Sequence, residues 1–394
     1  MGFAKIILKS GKDQSLLRFH PWVFSGAIKD TVGFPAEGDV VEVFSNKDEF
    51  LAMGHYQIGS ITVRLFSFQQ VNPDFNFWKS KILQAYNLRL ALGLASNENT
   101  NVYRLVNAEG DGMPGLIIDF YNGTAVMQMH SIGMFRIKEE LANVLKEIYG
   151  DNLVSVYDKS ESTIPFKAQI QPKNGYVLGE GKPEAVSEYS NLFKVDWVEG
   201  QKTGFFIDQR ENRKLVEAYS KGKDVLNVFG YTGGFSIYAL RGGANIVHSV
   251  DSSQKAIELT NENVALNFPD CHNHESICVD AFDYLDNIDD KYDLIILDPP
   301  AFAKHFNVLN NALQGYKRIN AKAIKKIRPG GILFTFSCSQ VVDKNTFRTT
   351  IFSAAASTGR NVRILHQLTQ PADHPVNIYH PEGEYLKGLV VYVE

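Results

Sequence analysis

The chain has 394 residues, of which 44% are hydrophobic and 21% charged, with a formal net charge of −4. This length allows two or three domains, and the composition excludes a disordered or fibrous chain. The mild acidity leaves any nucleic-acid affinity to a local basic stripe. No apolar run is long enough to span a bilayer, and three cysteines without a CxxC pair exclude a disulfide scaffold and point to a reducing, cytoplasmic setting.

In chain order, residues 1–70 read as a small β domain, with strands expected at 4–8, 39–44, 50–56 and 62–66. Within it, the aromatic cluster from His20 to Phe24 (HPWVF) suits either the mini-core of a barrel or a base-stacking surface for RNA. A linker at 72–74 precedes a helix at 77–92, whose Ile82, Leu83, Tyr86 and Leu90 share one side. From 103 to 189 the pattern is mixed, with strands at 117–120, 125–129 and 153–158 and a helix at 137–148. The acidic segment 109–115 (EGDGMPG) misses the calcium-loop spacing and reads as a turn. Segments 192–195 and 201–208 follow, then a helix over 209–220. Residues 202–206 suit a hairpin and helix start, or a cover over a cofactor with Asp208 and Arg210 nearby.

Beyond residue 223 the chain alternates strand and helix. A short apolar strand at 224–229 runs into Gly230, Gly233 and Gly234, then a helix through Ile237 and Leu240 closed by Gly242 and Gly243. A second strand at 246–250 ends at Asp251. A glycine turn at the first junction lets a ligand approach the backbone, and an acidic residue about 20 positions on accepts from ribose hydroxyls; together they suggest a nucleoside-containing cofactor. Further strands are expected at 276–279, 292–297, 332–336, 363–366 and 389–393, with helices at 252–267, 310–327 and 345–357. This alternation predicts an α/β fold with a doubly wound, mostly parallel sheet, whose ligands bind off the strands' carboxyl ends. Gly233, Asp251, Asp280, Asp298 and Cys338 all fall at or just beyond such ends.

A dehydrogenase would use similar glycines but has no need of Asp298-Pro299-Pro300. The prolines remove two backbone donors, hold the loop extended and present Asp298 as an acceptor for a flat base. Cys338 is either a small buried hydrophobe or a nucleophile. C5 of a pyrimidine is a poor nucleophile, and a thiolate adding at C6 makes it enamine-like and able to attack an electrophilic methyl. An unperturbed thiol has a pKa of about 8.5, so a nearby cation or base is needed, with Lys304, Lys317 and His374 as candidates. Cys271, His272, His274 and Cys278 fit no common zinc spacing, and no metal is expected.

Several motifs together resemble one family: HPWVFSGAI (20–28), RLVNAEGDGMPGLIID (104–119), QKTGFFIDQR (201–210), VFGYTGGFS (228–236), SVDSSQKAI (249–257), DPPAF (298–302), GYKRIN (315–320), FTFSCS (334–339) and the run ADHPV…PEGEYLKG (372–388). They are similar to class I S-adenosylmethionine-dependent methyltransferases, and more narrowly to the large-subunit ribosomal RNA methyltransferase I family with its N-terminal PUA domain. The resemblance implies a PUA-like RNA-binding domain over 1–70, a small α+β middle domain over 71–190 and a Rossmann-like methyltransferase domain over 191–394. It implies S-adenosyl-L-methionine as cofactor and cytosine-C5 methylation of 23S ribosomal RNA, with Cys338 as nucleophile and Asp298 holding the base. Cofactor contacts would come from Lys202, Thr203, Phe205, Tyr231, Thr232, Gly233, Gly234, Asp251, Ser252, Asp280, Ala281 and Asp298. Substrate contacts would come from Pro299, Phe302, Tyr316, Lys317, Asn320 and His374.

Two departures matter. Gly230 stands where members of the family usually carry a serine, so a polar cofactor contact is expected to be absent. Ala301 follows the two prolines where another class of RNA cytosine-C5 methyltransferases has a cysteine, so product release must work without a second thiol there. The rival readings are an RNA N-methyltransferase acting on an exocyclic amine, with Phe302 stacking the base, and an RNA-binding protein that holds the cofactor without turnover. Large-subunit ribosomal RNA is the expected partner, no membrane is expected, and a homodimer is one candidate assembly.

Overall fold

The computed structural model describes residues 2–165, 170–182, 184–303 and 305–394. Two compact units emerge, and the chain passes between them more than once. The first comprises 1–186, 195–207 and 372–383; the second comprises 187–194, 208–371 and 384–394.

The first unit opens with a six-stranded sheet: β1 (Ala4–Leu8), β2 (Trp22–Phe24), β3 (Ile28–Val32), β4 (Val40–Phe44), β5 (Phe50–Tyr56) and β6 (Ile61–Ser67), in the order β2-β6-β5-β4-β1-β3. β1 runs parallel to β4 and the other pairs are antiparallel. Its core is built from inward residues such as Ile6, Leu8, Val41, Val43, Val63 and Leu65. The two strands not expected from sequence, β2 and β3, are short or sit at the sheet's edge, so neither carries a buried alternating pattern to read. Helix α1 (Phe75–Ala91) starts at Asp74, whose carboxylate accepts from the Phe77 amide.

There follow β7 (Val102–Asn107), β8 (Leu116–Tyr121), β9 (Thr124–Met129), α2 (Ile132–Arg136), α3 (Lys138–Tyr149), β10 (Ser155–Asp158) and β11 (Gly175–Leu178). The five strands pair in the order β11-β10-β9-β8-β7. The helix expected over 137–148 is α3, and a separate short helix, α2, capped by Ser131, precedes it. One apolar cluster joins Met53 and Phe66 of the first sheet to Trp78 and Ile82 of α1 and to Leu116, Ile118 and Met127 of the second. The two sheets of this unit therefore share a core.

β12 (Ala185–Glu188) and β13 (Asn191–Lys194) form a two-stranded sheet. The second unit then runs α4 (Arg210–Tyr219), β14 (Asp224–Val228), α5 (Gly234–Arg241), β15 (Ile246–Asp251), α6 (Gln254–Asn267), β16 (His274–Cys278), α7 (Ala281–Leu285), β17 (Leu294–Leu297), α8 (Leu309–Lys326), β18 (Gly331–Ser337), α9 (Lys344–Thr358), β19 (Val362–Leu368) and β20 (Lys387–Val393). The seven strands lie in the order β16-β15-β14-β17-β18-β20-β19. The first five are mutually parallel, and β20 is antiparallel to both its neighbours.

Strand alternation supplies both faces of this sheet. Leu294, Ile296, Phe334, Phe336 and Val390 pack on one side with Val216 of α4 and Phe235 and Ala239 of α5. Ile295, Leu297, Leu333, Leu389 and Val391 pack on the other with Tyr316, Ile319 and Ala323 of α8 and Phe347 and Ile351 of α9. Burial on both faces is why β17 reads as an unbroken LIIL run. The same layering brings the carboxyl ends of five parallel strands to one edge.

Candidate active site at the carboxyl edge of the parallel sheet

The turn after β14 is tightly specified. Phe229, Tyr231 and Gly233 all have positive φ, at 63°, 46° and 76°. The Gly230 amide donates to the Val250 carbonyl (3.0 Å) and the Gly233 amide to the Gly230 carbonyl (2.8 Å). α6 holds the turn from outside, since Thr260 Oγ1 donates to the Tyr231 carbonyl and Asn263 Nδ2 to the Thr232 carbonyl, each at 2.9 Å. A Cβ on Gly233 would come within 2.7 Å of Thr260 Cγ2, so close packing and left-handed backbone both require glycine there. Asp251, the last residue of β15, accepts from the Tyr231 amide on Oδ2 (3.0 Å) and from the Ser253 amide on Oδ1 (2.9 Å). Asp280, just past β16, is exposed and caps α7 through Oδ1, which accepts from the Phe282 amide at 2.8 Å and the Asp283 amide at 3.3 Å. Ala281 is buried behind it.

Asp298 directly follows β17 and is partly exposed, while Pro299 is buried. The Phe302 ring lies 4.7 Å from that of Tyr316, and Gly315 provides the space, since a Cβ there would sit 3.0 Å from Phe302 Cδ2. Cys338 directly follows β18 and is part-buried, with one side against the core that contains Phe336 and Val390. The flanking serines pin it. Ser337 Oγ donates to the Tyr316 hydroxyl (3.0 Å), the Tyr316 and Ser339 hydroxyls lie 3.2 Å apart, and the Ala303 amide donates to Ser339 Oγ at 3.4 Å. Burial raises the Tyr316 phenol pKa, so that hydroxyl stays protonated.

Behind the thiol lies Lys387. It opposes Ser337 in the β18–β20 register, and its ammonium donates to the carbonyls of Ser339 (2.5 Å) and Tyr385 (2.6 Å). It is 3% exposed and has no carboxylate within ion-pair distance among the described residues. Burial drives its pKa down to about 8, against the pull of Cys338, Asp343 and Glu384. Lys387 lay inside the quoted 372–388 motif, but nothing in that local run pointed it at Cys338; a lysine in an otherwise apolar strand was the available signal.

A protein-family model for S-adenosylmethionine-dependent methyltransferases matches residues 176–379, and one for PUA-like domains matches residues 6–68. The chain is 40% identical over 393 residues to the ribosomal RNA large subunit methyltransferase I of Aeromonas salmonicida, covering 98% of each chain. It is 40% identical to the protein of that name from Photobacterium profundum, covering 99% of each. The chain belongs to the ribosomal RNA large subunit methyltransferase I family. In fold it is similar to a structure described as an S-adenosylmethionine-dependent methyltransferase from Streptococcus mutans (24% identity, TM-score 0.84, 99% of this chain and 100% of that one).

This methyltransferase uses S-adenosylmethionine, and the edge suits that cofactor. Each Asp251 oxygen keeps a lone pair for a ribose hydroxyl, and Asp280 keeps Oδ2 for an amine. A Cβ on Gly230 would meet nothing closer than 3.4 Å, so that position leaves open space beside the turn.

The structure collects Tyr231, Thr232, Gly233, Gly234, Asp251, Ser252, Asp280, Ala281, Asp298 and Cys338 at one edge. Lys202, Thr203 and Phe205 belong to the first unit. There Thr203 Oγ1 donates to Asp119 Oδ2 (2.6 Å) and lies 2.8 Å from the Tyr121 hydroxyl, Phe205 is buried, and the Lys202 ammonium stands 4.4 Å over the Phe206 ring.

Three substrate expectations need correction. Tyr316 (0% exposed) and Asn320 (1%) are inside α8's buried face, so they position the Cys338 loop and the helix rather than meet a base. His374 (1% exposed) is in the first unit, with Nδ1 3.1 Å from Asp373 Oδ1. Asp373 is itself tied to the Arg104 amide, so this is a packed structural histidine. Lys317 is half-buried on α8, and Lys304 lies outside the described residues. Cys271, His274 and Cys278 bond separately to Asn273, Ser249 and the Ser252 carbonyl.

Proposed function

We propose that this enzyme methylates C5 of a cytosine in large-subunit ribosomal RNA, with Cys338 as nucleophile, Asp298 as the acceptor that orients the base and Lys387 as the cation that favours the thiolate. The observation that carries this reading is the placement of a part-exposed thiol, pinned by two serines, beside a buried lysine that has no carboxylate partner among the described residues. A nearby ammonium lowers a thiol's pKa, and Lys387 is protonated below about pH 8.

S-adenosylmethionine supplies an electrophilic methyl group on a sulfonium. Cys338 Sγ bonds to cytosine C6, and the electron pair released to C5 takes the methyl as its bond to the sulfonium breaks, leaving the thioether S-adenosylhomocysteine. A general base then removes the C5 proton as the C6–S bond breaks, restoring aromaticity and the free thiolate. Asp251 and Asp280 would hold the nucleoside part of the cofactor, and Tyr231 to Gly234 would border its methionine part. Pro299 holds the Asp298 loop, Phe302 offers a ring face to the base, and Lys317 offers charge to the backbone.

Within this reading residues 1–70 bind RNA, 71–190 join that domain to the rest, and 191–394 carry the chemistry in the cytoplasm. In the aromatic cluster Val23 is buried in the core of the six-stranded sheet, while Phe24 is 45% exposed and would offer its ring to a base.

The test is nucleoside mapping of ribosomal RNA from cells lacking this protein. One 5-methylcytosine should vanish, returning with the wild-type gene and not with Cys338→Ala. If Cys338→Ala restores methylation, the thiol is structural and an exocyclic amine becomes the better target. If no ribosomal nucleoside changes, the substrate assignment fails.

A further inference from the structure

We propose that His20, His380 and Glu382 form a binding site for one first-row divalent metal ion, with Zn2+ the best match, that ties the 372–383 segment to the β domain. All three belong to the first unit. His20 Nε2 is 3.5 Å from Glu382 Oε1, His380 Nε2 is 3.7 Å from Glu382 Oε2, and the three donor atoms lie within 4.8 Å of one another. Both gaps are longer than hydrogen bonds, and an ion between the groups would draw each donor to ordinary coordination distance.

The independent sign is His380 itself. It is 3% exposed, and neither ring nitrogen has a hydrogen-bond partner among the described residues. A buried imidazole left without partners is unfavourable, and coordination through Nε2, the nitrogen facing Glu382, would resolve it. The ring is held by Trp22, 4.3 Å away in an edge-on contact.

His20 is arranged to match. Its Nδ1 accepts from the Trp22 amide at 3.3 Å and lies 3.4 Å from the Trp22 carbonyl, which holds Nε2 toward Glu382; ion binding at Nε2 selects the tautomer that donates from Nδ1 to that carbonyl instead. The neighbouring charges, Arg64 and Glu109, face each other at 3.4 Å and largely cancel. Two imidazoles and a carboxylate select zinc or a similar transition metal over Mg2+ and Ca2+, and three protein donors leave a position for water. Sequence reading could not assemble this set, because His20 and His380 stand at opposite ends of the chain.

The full-length protein, stripped with EDTA, is equilibrated with Zn2+ or Mg2+ and its metal content measured after desalting. Co2+ replaces Zn2+ for visible absorption of the coordinated ion. The expected result is about one Zn2+ per chain, no retained Mg2+ and a higher melting temperature with Zn2+. Glu382→Gln and His20→Asn alter partly exposed side chains, and each should weaken Zn2+ binding at least about tenfold while keeping the metal-free melting temperature. Zinc affinity equal in wild type and both variants would overturn the site, as would no zinc retained by the wild type. In either case the groups are a hydrogen-bonding cluster only.

Discussion

The division of labour around Cys338 is decided by single side chains. Ser337 and Ser339 fix the backbone on either side of the thiol, Tyr316 ties the two serines together, and Lys387 supplies positive charge from the neighbouring strand. Cys338→Ala should lower kcat by at least about a thousandfold with little change in melting temperature, since a part-exposed thiol is lost without opening the core. Lys387→Met tests the charge separately. Loss of the ammonium should raise the thiol's pKa and move the acidic limb of the kcat/KM profile to higher pH; an unmoved limb would remove Lys387 from the reaction. Lys387 also has a stability signature. Its folded pKa, about 8, lies below that of an unfolded lysine, about 10.4. Between those values the unfolded chain holds a proton that the native state lacks. Wild-type stability should therefore rise with pH across that window relative to Lys387→Met, as read by urea unfolding.

At the scale of elements, the strand–turn–helix from β14 to α5 shows why its glycines are not equivalent. Gly233 has φ 76° and Thr260 against its missing Cβ; Gly230 has neither constraint. Gly233→Ala should cost about 2 kcal/mol from backbone strain and displacement of α6, and weaken S-adenosylmethionine binding in calorimetry. Gly230→Ser should stay within about 0.5 kcal/mol of wild type, because its Cβ meets only ordinary contacts. A serine hydroxyl there would stand near Asn227, whose buried Oδ1 has no hydrogen-bond partner among the described residues. Calorimetry should find cofactor affinity undiminished in that variant. The family's serine is thus compatible with this turn, and its absence here removes no support from the fold.

Over the whole molecule, acid stability should depend on imidazoles in both units, His55 buried and His130 and His274 half-buried. His55, His130 and His274 have pKa values lowered to about 4, in each case chiefly by burial, with neighbouring positive charges adding to it. Their unfolded value is about 6.5. As pH falls from 6.5 toward 4 the unfolded chain takes up protons that the native state refuses, so stability falls by about 1.4 kcal/mol per pH unit for each fully titrating histidine. Urea midpoints should accordingly drop between pH 7 and pH 5, and His274→Asn should flatten part of that drop. The shared core of the first unit has its own consequence. Met53 and Phe66 pack in the same cluster as Trp78 and Leu116, so removal of residues 1–70 would expose apolar surface. Substitution of the exposed Phe24 is therefore the cleaner way to probe RNA affinity.

The sequence by itself determined the parallel sheet and its functional edge. Each strand, glycine turn or acidic terminus there is written within a few consecutive residues: the LIIL run, the turn from Gly230 to Gly234, Asp251, Asp298 and the serines around Cys338. A βα repeat converts such local signals into one edge by its connectivity alone. The tertiary structure decided what lies next to that edge and what is sealed away from it. Lys387 reaches the Cys338 loop only through an antiparallel strand added at the end of the chain, and the 372–383 segment folds into the first unit rather than the second. The polar side chains of Tyr316, Asn320 and His374 read like ligand contacts until burial turns them inward. Contacts between residues distant in sequence depend on how faces pack, and a linear pattern carries no record of that.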